Sequence, residues 1–269
     1  MSPKIVLGTF QNNRYLDLLN VVDSAFLNGC TAFDTAPSYG TEVDLGKALE
    51  FCMDKYHVNR KDVFVSDKVD AWQMIKGRGD VSVYIQNALE KMNLEYFDIV
   101  WVHWPIAEFI EPTWRSLQEL QSKGVVKNIG ISNVRVRHLK EMAQREILPK
   151  YIQIERHPLR VCQEEMDYCE AHGIEVFSYS PICRMHKDLK ESAVLKQIAD
   201  KYHKNIGQVI LRWHVDTHAT PVFMSKNPKR VSENLNIFDF ELTENEVEAI
   251  SCLNQNYKIF LESWGCPGF

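Results

Sequence analysis

Four polar side chains lie where short runs of β-forming residues end, and together they could protonate a carbonyl oxygen. An aspartate and a tyrosine occur in 33–40, FDTAPSYG, a histidine occurs in 100–105, VWVHWP, and a lysine lies between these stretches; the four are Asp34, Tyr39, His103 and Lys68. A ketone or aldehyde is reduced when hydride reaches its carbon while a proton or a strong hydrogen bond neutralises the growing charge on its oxygen. The residue types therefore point to a carbonyl reductase.

Each of the four residue types suits one task in that chemistry. Tyr39 is the expected proton donor, and because a phenol has a pKa of about 10, a nearby cation such as Lys68 is needed to favour the phenolate. Asp34 would pair with Lys68 and keep it charged. His103, as a neutral imidazole, would orient the substrate oxygen through a hydrogen bond. Taken singly, such residues more often cap turns, lie in solvent or pack, so the interpretation depends on the joint pattern.

A further carboxylate, Asp67, directly precedes Lys68. The alternation of side chains along a strand points Asp67 away from the lysine. An extra carboxylate at this position would nevertheless alter the tuning of Tyr39.

These residues need a scaffold that brings strand ends together, and the pattern along the chain predicts one. Short β-branched runs alternate with amphipathic stretches, which is typical of a parallel sheet covered by helices. Strands are predicted at 4–9, 32–34, 63–66, 97–102, 128–131, 151–154, 175–178 and 221–223. Helices are predicted at 16–28, 42–55, 81–92, 113–122, 137–145, 164–172, 193–202, 207–215, 228–236 and 243–253. Eight such units predict an α/β fold, a (βα)8 TIM barrel with an extra C-terminal helix and its active site at the carboxyl ends of the strands.

Composition fits one enzyme that acts on small molecules. The chain has 269 residues, of which 45% are hydrophobic and 25% charged, and a formal net charge of -5. Barrels of this length commonly fold as one domain, so residues 1–269 are expected to form a single domain. Basic residues are scattered among acidic ones, which argues against a nucleic-acid partner or an anionic membrane surface. A monomer or small homo-oligomer is expected.

Cysteine usage and apolar runs indicate the compartment. The seven cysteines include no CxxC pair and no histidine at zinc-ligand spacing, so reduced thiols in a cytosol are the simplest interpretation and no metal site is expected. The first residues contain too few apolar side chains for a signal peptide, and no later run approaches a membrane span. We expect a soluble, cytoplasmic protein.

The sequence around the aspartate and the tyrosine resembles the aldo-keto reductase family. The stretch 29–40 reads GCTAFDTAPSYG and is followed by LGKAL at 45–49, and the similarity runs from VLGT at 6–9 to beyond Asn234. The resemblance implies a (βα)8 barrel in which Tyr39 is the general acid. Its catalytic tetrad falls on Asp34, Tyr39, Lys68 and His103.

No G-x-G-x-x-G dinucleotide motif follows a predicted strand, so a dinucleotide would need another cradle. The resemblance supplies one, because the family binds a nicotinamide cofactor across the carboxyl ends of the barrel strands. Amides and hydroxyls suit the carboxamide, and the flat face of a tyrosine suits the nicotinamide ring. The implied cofactor-binding residues are Thr9, Phe10, Asp34, Ser132, Asn133, Gln153, Tyr179, Ser180, Pro181, Ile182, Ser225, Lys226, Arg230 and Asn234.

Two cations stand at the start of a predicted helix, a place that suits a phosphate group. They are Lys226 and Arg230. We therefore expect NADPH as the cofactor in preference to NADH. The alternative is that these residues form a solvated basic turn.

Large apolar side chains near strand ends are the expected lining of the substrate pocket. They are Phe10, Trp72, Trp104, Ile106 and Trp264. The chain is shorter than typical family members before Lys4, where no N-terminal hairpin is expected, and at 106–111 and 183–190. Short loops predict an open, shallow site that tolerates a bulky or polar substrate and leaves the cofactor weakly clamped. The expected partner is a small-molecule carbonyl or alcohol substrate.

Two other functions are compatible with the sequence. A regulatory relative would bind the nucleotide as a redox sensor for a partner protein without turnover, as channel accessory subunits of this family do. An unrelated barrel lyase or isomerase would require both the tetrad and the cofactor segments to be coincidental. The intact tetrad favours the reductase.

Overall fold

Eight parallel strands close into a barrel in the computed structural model, which describes residues 2–261. The strands are β1 (Val6–Gly8), β2 (Ala32–Asp34), β3 (Phe64–Val69), β4 (Ile99–Val102), β5 (Ile129–Ser132), β6 (Tyr151–Glu155), β7 (Glu175–Tyr179) and β8 (Ala219–Phe223). Each strand pairs in parallel with the next one along the chain, and β8 pairs with β1. The predicted (βα)8 barrel is confirmed.

Twelve α-helices occur within residues 2–261. They are α1 (Tyr15–Leu27), α2 (Glu42–Tyr56), α3 (Ala71–Gly77), α4 (Ser82–Met92), α5 (Ile110–Ser122), α6 (Val136–Gln144), α7 (Gln163–His172), α8 (Lys187–Glu191), α9 (Ala193–Tyr202), α10 (Ile206–Asp216), α11 (Pro228–Leu235) and α12 (Glu244–Ser251). The last of these is the extra C-terminal helix that the sequence predicted. Gly29 and Gly173, which follow α1 and α7, have φ angles of +75° and +65°, in the left-handed region that ends helices.

The sequence pattern missed two short helices and the end of one strand. In α3 the apolar side chains of Trp72 and Ile75 are half exposed, so the apolar residues of this helix do not line one buried face. Their spacing therefore does not predict an amphipathic helix. The stretch 183–190, expected as a brief loop, contains a 3-10 turn and most of α8. Strand β3 continues past the predicted end at Ser66 to Val69; the prediction stopped short because two buried charged residues, Asp67 and Lys68, interrupt the apolar pattern.

Four aromatic rings fill the interior of the barrel. Phe177 on β7 contacts Phe64 on β3, Trp101 on β4 and Tyr151 on β6, with ring centroids 6.2, 5.1 and 6.4 Å apart. Because β7 is not a neighbour of β3 or β4, these contacts cross the interior. Gly130 leaves the room that the indole occupies, since a Cβ there would lie 2.3 Å from Cε3 of Trp101. The aromatic cluster makes the barrel a packed core and leaves its polar side chains at the carboxyl ends of the strands.

Three further kinds of feature are not found among the described residues. Residues 2–5, ahead of β1, form no strand. No helix between residues 2 and 261 is long and apolar enough to cross a bilayer. Over the same range, no group of three or more histidine, cysteine or carboxylate side chains is arranged to hold a metal ion.

Candidate active site

The four side chains with catalytic potential come together at the carboxyl ends of β2, β3 and β4. Asp34 ends β2, Tyr39 ends the 3-10 turn after it, Lys68 is on β3 and His103 follows β4. The Lys68 ammonium donates to the Asp34 carboxylate and, at 2.8 Å, to the carbonyl oxygen of Thr35. Lys68 Nζ lies 5.1 Å from the centroid of the Tyr39 ring, and that centroid lies 5.8 Å from the centroid of the His103 ring. A phenol, an amine and an imidazole therefore border one space.

Asp34 is the centre of a buried hydrogen-bond network. Its Oδ1 accepts from Ser66 Oγ at 2.7 Å and from Gln153 Nε2 at 3.1 Å. Asp34 and Lys68 are only 3% and 1% exposed. A buried ion pair is stable when further hydrogen bonds satisfy its remaining polar atoms. Ser66 is on the neighbouring strand β3, whereas Gln153 is on β6, across the barrel. Hydrogen bonds from both sides therefore fix the position of the Asp34 carboxylate.

Burial and nearby carboxylates raise the pKa of the Tyr39 hydroxyl well above its usual value of 10.0. Desolvation is the largest cause, followed by the negative charges of Asp34, Asp70 and Asp67. The sequence predicted the opposite direction, with Lys68 lowering this pKa. Burial and the three carboxylates outweigh the effect of the nearby Lys68 ammonium. Tyr39 therefore stays protonated at neutral pH.

Asp67, the carboxylate that precedes the lysine, is fully buried. Neither of its oxygens has a hydrogen-bond partner within residues 2–261. Burial raises the pKa of this carboxyl well above its usual value, and the nearby charge of Glu42 raises it further. The negative charge of Asp67 contributes to raising the pKa of Tyr39.

Asp70, which sequence reasoning missed, holds the ring of His103. Its Oδ1 lies 2.6 Å from Nδ1 of the histidine and accepts from Ser38 Oγ at 3.2 Å. Burial lowers the pKa of His103 below its usual 6.5, and the charge of Lys68 adds to this, although the hydrogen bond to Asp70 acts in the opposite direction. Strand alternation could have revealed Asp70, since it follows Lys68 by two residues at the end of the same strand.

Three residues of the predicted carboxamide site lie side by side at the ends of β5 and β6. Ser132 Oγ donates to the carbonyl oxygen of Gln153 at 2.8 Å. Asn133, with a φ of +62°, donates from Nδ2 to the carbonyl oxygen of His103 at 2.9 Å. The Oδ1 atom of Asn133 accepts from the Tyr179 hydroxyl at 2.7 Å. The amide thus links the predicted nicotinamide-stacking ring to the segment that carries the imidazole.

A buried pair of basic side chains, Arg156 and His214, holds the segment that follows β7. Arg156 Nη1 donates to Nδ1 of His214 at 3.1 Å, which leaves Nε2 of the histidine to donate to the carbonyl oxygen of Pro181 at 3.1 Å. His214 is fully buried. Ser180 has a φ of +51°, and Ile182 is half-buried against the core. The predicted cofactor residues 180–182 therefore form a fixed turn.

Glu155 is a second residue that the sequence analysis did not single out. It is 3% exposed and accepts from the backbone N–H groups of Ile259 and Phe260 at 2.7 and 2.9 Å. The Phe260 ring packs edge-on against the Tyr179 ring, with centroids 5.7 Å apart. Glu155 thereby fixes a distant chain segment against the predicted stacking tyrosine.

The start of α11 carries two exposed cations. The Asn227 side chain caps this helix by accepting from the backbone N–H groups of Lys229 and Arg230 at 2.9 and 3.4 Å. Lys226 and Arg230 form no ion pair within residues 2–261 and are solvent-exposed. Ser225 and Asn234 of the same predicted segment are buried. The two cations are free to bind an anion.

The remaining predicted residues differ in how they meet the site. Phe10 packs against Tyr39 with ring centroids 5.1 Å apart, so it borders the pocket. The fully buried Thr9 hydroxyl bonds to Thr35 and Thr41 at 3.0 and 2.8 Å. That hydroxyl is therefore engaged inside the protein, and only the backbone of Thr9 is left to contact a cofactor.

Among residues 2–261, the other predicted substrate-pocket side chains differ in how closely they approach the site. The Trp104 ring lies 6.4 Å from the His103 ring, and Ile106 is half-buried in the same segment. Trp72 is 51% exposed on α3 and packs against Tyr84 at 5.5 Å, so its indole faces solvent at the rim. Trp264 lies outside the described residues.

Comparison with known proteins identifies the family. The family model described as "Aldo/keto reductase family" matches residues 4–255. The chain belongs to the aldo/keto reductase family. It is therefore an NAD(P)H-dependent oxidoreductase, as the resemblance in its sequence implied. A glyoxal reductase of Bacillus subtilis (strain 168) is 33% identical over 96% of this chain and 91% of the relative.

Solved structures of aldo-keto reductases have the same fold. The enzyme MGS-M4, from a Medee basin deep-sea metagenome library, matches with a TM-score of 0.90 and 30% identity over 97% of this chain and 94% of that one. A Bombyx mori aldo-keto reductase, solved in complex with NADP, matches with a TM-score of 0.89 and 27% identity over 98% of this chain and 93% of that one.

Proposed function

We propose that this aldo-keto reductase uses NADPH to reduce a small aldehyde or ketone, with Tyr39 as general acid. The observation that carries the proposal is the buried Asp34–Lys68 pair, which holds an ammonium beneath a phenol that is itself beside an imidazole. The similarity to a glyoxal reductase supports a small carbonyl compound as substrate.

The residues at the ends of β5, β6 and β7 fit a nicotinamide ring. Ser132, Asn133 and Gln153 offer hydroxyl and amide groups within one small area, and Tyr179 offers a half-buried ring face beside them. Amide and hydroxyl groups both donate and accept hydrogen bonds, which matches a carboxamide. When bound there, the cofactor supplies hydride to the carbonyl carbon. The nearby turn at 180–182 would contact the rest of the dinucleotide.

Tyr39 delivers the proton in this mechanism. The raised pKa of Tyr39 keeps its hydroxyl protonated, so the proton donor is available throughout the neutral pH range. Transfer is still favourable, because the alkoxide that hydride addition creates is a far stronger base than a phenolate. The Lys68 ammonium, 5.1 Å from the ring and fixed by Asp34, stabilises the phenolate that remains.

Two free cations support the preference for NADPH. Lys226 and Arg230 lie at the N-terminus of α11 and have no ion-pair partner within the described range 2–261. The extra phosphate of NADPH would find two positive charges and a helix N-terminus there. Catalytic efficiency with NADPH should therefore exceed that with NADH.

The proposal is tested by following NADPH oxidation with a panel of small aldehydes, ketones and dicarbonyl compounds. Tyr39→Phe removes the acid and should lower the rate by about 10²- to 10⁴-fold. Tyr202→Phe is the matched control, since its hydroxyl bonds to Glu246 outside the site, and it should keep full activity. Nucleotide binding by the wild type without turnover on any carbonyl would refute the enzyme and favour a redox sensor.

A further inference from the structure

One ring nitrogen of His103 is hydrogen-bonded to a carboxylate. Asp70 Oδ1 lies 2.6 Å from Nδ1, and no hydrogen bond to Nε2 occurs within residues 2–261. Asp70 is itself held, because Ser38 Oγ donates to the same oxygen at 3.2 Å and Gln73 Oε1 accepts from the Asp70 backbone N–H at 2.8 Å. Asp70 is only 5% exposed. The carboxylate and the ring are therefore fixed relative to each other.

This contact determines where the imidazole carries its proton. An ionised carboxylate only accepts hydrogen bonds, so it selects the tautomer of His103 with the proton on Nδ1. In a neutral imidazole the other nitrogen, Nε2, then carries a lone pair and cannot donate to a carbonyl oxygen. A donor at Nε2 requires one more proton on the Asp70–His103 pair.

We propose that Asp70 is a positioning residue that makes carbonyl reduction depend on a proton-loaded Asp70–His103 pair, whose Nε2–H then donates a hydrogen bond to the substrate oxygen. The proposal rests on the proposed reductase function and adds a requirement to it. No proton leaves His103 in the step: hydride adds to the carbonyl carbon, the Tyr39 hydroxyl gives its proton to the oxygen, and the imidazole stabilises the charge that develops between these events.

The surrounding charges set the pH at which the pair loses its extra proton. Burial and the Lys68 ammonium disfavour the protonated ring, whereas Asp70 and Asp34 favour it, and the balance lowers the pKa of His103. The titratable groups that face the pair from β2, β3, α2 and the 3-10 turn are Asp34, Asp67, Lys68, Glu42 and Tyr39. The kcat/KM for reduction should therefore fall as pH rises from mildly acidic values, by about tenfold per pH unit, until a residual rate supported by Tyr39 alone is reached.

Asp70→Asn separates this role from a merely structural one. The amide that replaces the carboxylate can donate to Nδ1, and this selects the opposite tautomer, with the proton on Nε2 of a neutral ring. The donor then exists without the extra proton. The variant should lose the decline in kcat/KM between about pH 6 and 9, so that its activity exceeds that of the wild type at the alkaline end. Asp80→Asn is the matched control; Asp80 is exposed and accepts hydrogen bonds from Ser82 Oγ and Ser116 Oγ away from the pair, so this variant should keep the wild-type profile.

Two measurements together decide the proposal. If Asp70→Asn lowers activity by a constant factor at every pH and keeps the wild-type profile, Asp70 is only structural and the proposal is wrong. Heteronuclear NMR of the imidazole nitrogens gives a second readout that needs no turnover. Neutral His103 should be protonated on Nδ1 in the wild type and on Nε2 in Asp70→Asn. A wild-type ring protonated on Nε2 would overturn the proposal even in an active enzyme, and absence of turnover with the expected tautomers would contradict only the proposed reductase function.

Discussion

Removing the charge of Asp34 should destabilise the protein far more than removing the charge of an exposed aspartate. In Asp34→Asn the side chain of Lys68, which has no solvent exposure, loses its only ion-pair partner within residues 2–261 and keeps the carbonyl oxygen of Thr35 as an acceptor. An ammonium left in this position must either stay charged without a counter-charge or release its proton. Either outcome costs free energy of folding.

The expected loss follows from the burial of the pair. Breaking a buried ion pair by removing one partner costs about 3–5 kcal/mol. For a protein of this size each kcal/mol lowers the melting temperature by about 2–4 °C, so Asp34→Asn should melt roughly 6–20 °C below the wild type. Activity should fall as well, because the ammonium beneath Tyr39 is no longer held.

Thermal and urea unfolding followed by circular dichroism measure this loss against two controls. Asp23→Asn removes the partner of Lys55 from a pair that is 44% exposed on the lysine side, and it should cost about 1 kcal/mol or less. The double variant Asp34→Asn/Lys68→Met removes both charges and should regain most of the stability while remaining inactive. If Asp34→Asn costs no more than Asp23→Asn, or if the double variant is less stable than the single one, the buried pair does not have the assigned role.

The remaining predictions concern cofactor choice and packing. Lys226→Ala and Arg230→Ala should each raise the KM for NADPH by about 10- to 150-fold and leave the KM for NADH unchanged, because a charge-assisted hydrogen bond to phosphate contributes about 1.5–3 kcal/mol. Lys229→Ala, on the same helix, pairs with a glutamate of its own helix and should change neither constant; equal effects on both cofactors would contradict the assigned phosphate site. Gly130→Ala should lower the free energy of unfolding by about 1–3 kcal/mol, since the new methyl group overlaps the Trp101 ring; a denaturant midpoint equal to that of the wild type would contradict this packing.

The sequence was sufficient for the barrel because each βα unit carries its own pattern. Strand β2 has the predicted bounds, Ala32–Asp34, because its apolar run ends at the aspartate. Strand β3 was predicted too short, since Asp67 and Lys68 break the apolar pattern although both are buried. A periodicity argument treats charged residues as exposed, and at this site the tertiary structure overrides it.

The candidate site was predictable in its residue types and less so in its electrostatics. Asp34, Tyr39, Lys68 and His103 meet as their positions after consecutive strands suggested, because neighbouring parallel strands end at the same face. The direction of the Tyr39 pKa was wrong, since burial and the summed charge of several carboxylates depend on distances that a sequence does not contain. For the same reason, the contact between Asp70 and the imidazole was missed.

The most direct test of the central claim follows the hydride itself. The enzyme is given a small aldehyde and reduced NADPH that carries deuterium at the hydride-donating carbon, and the alcohol is analysed by NMR for wild type and Tyr39→Phe. The expected result is deuterium at the carbinol carbon for the wild type, with turnover lowered by about 10²-fold or more in the variant. An alcohol without deuterium, or a Tyr39→Phe variant that is as fast as the wild type, would contradict hydride transfer with Tyr39 as the acid.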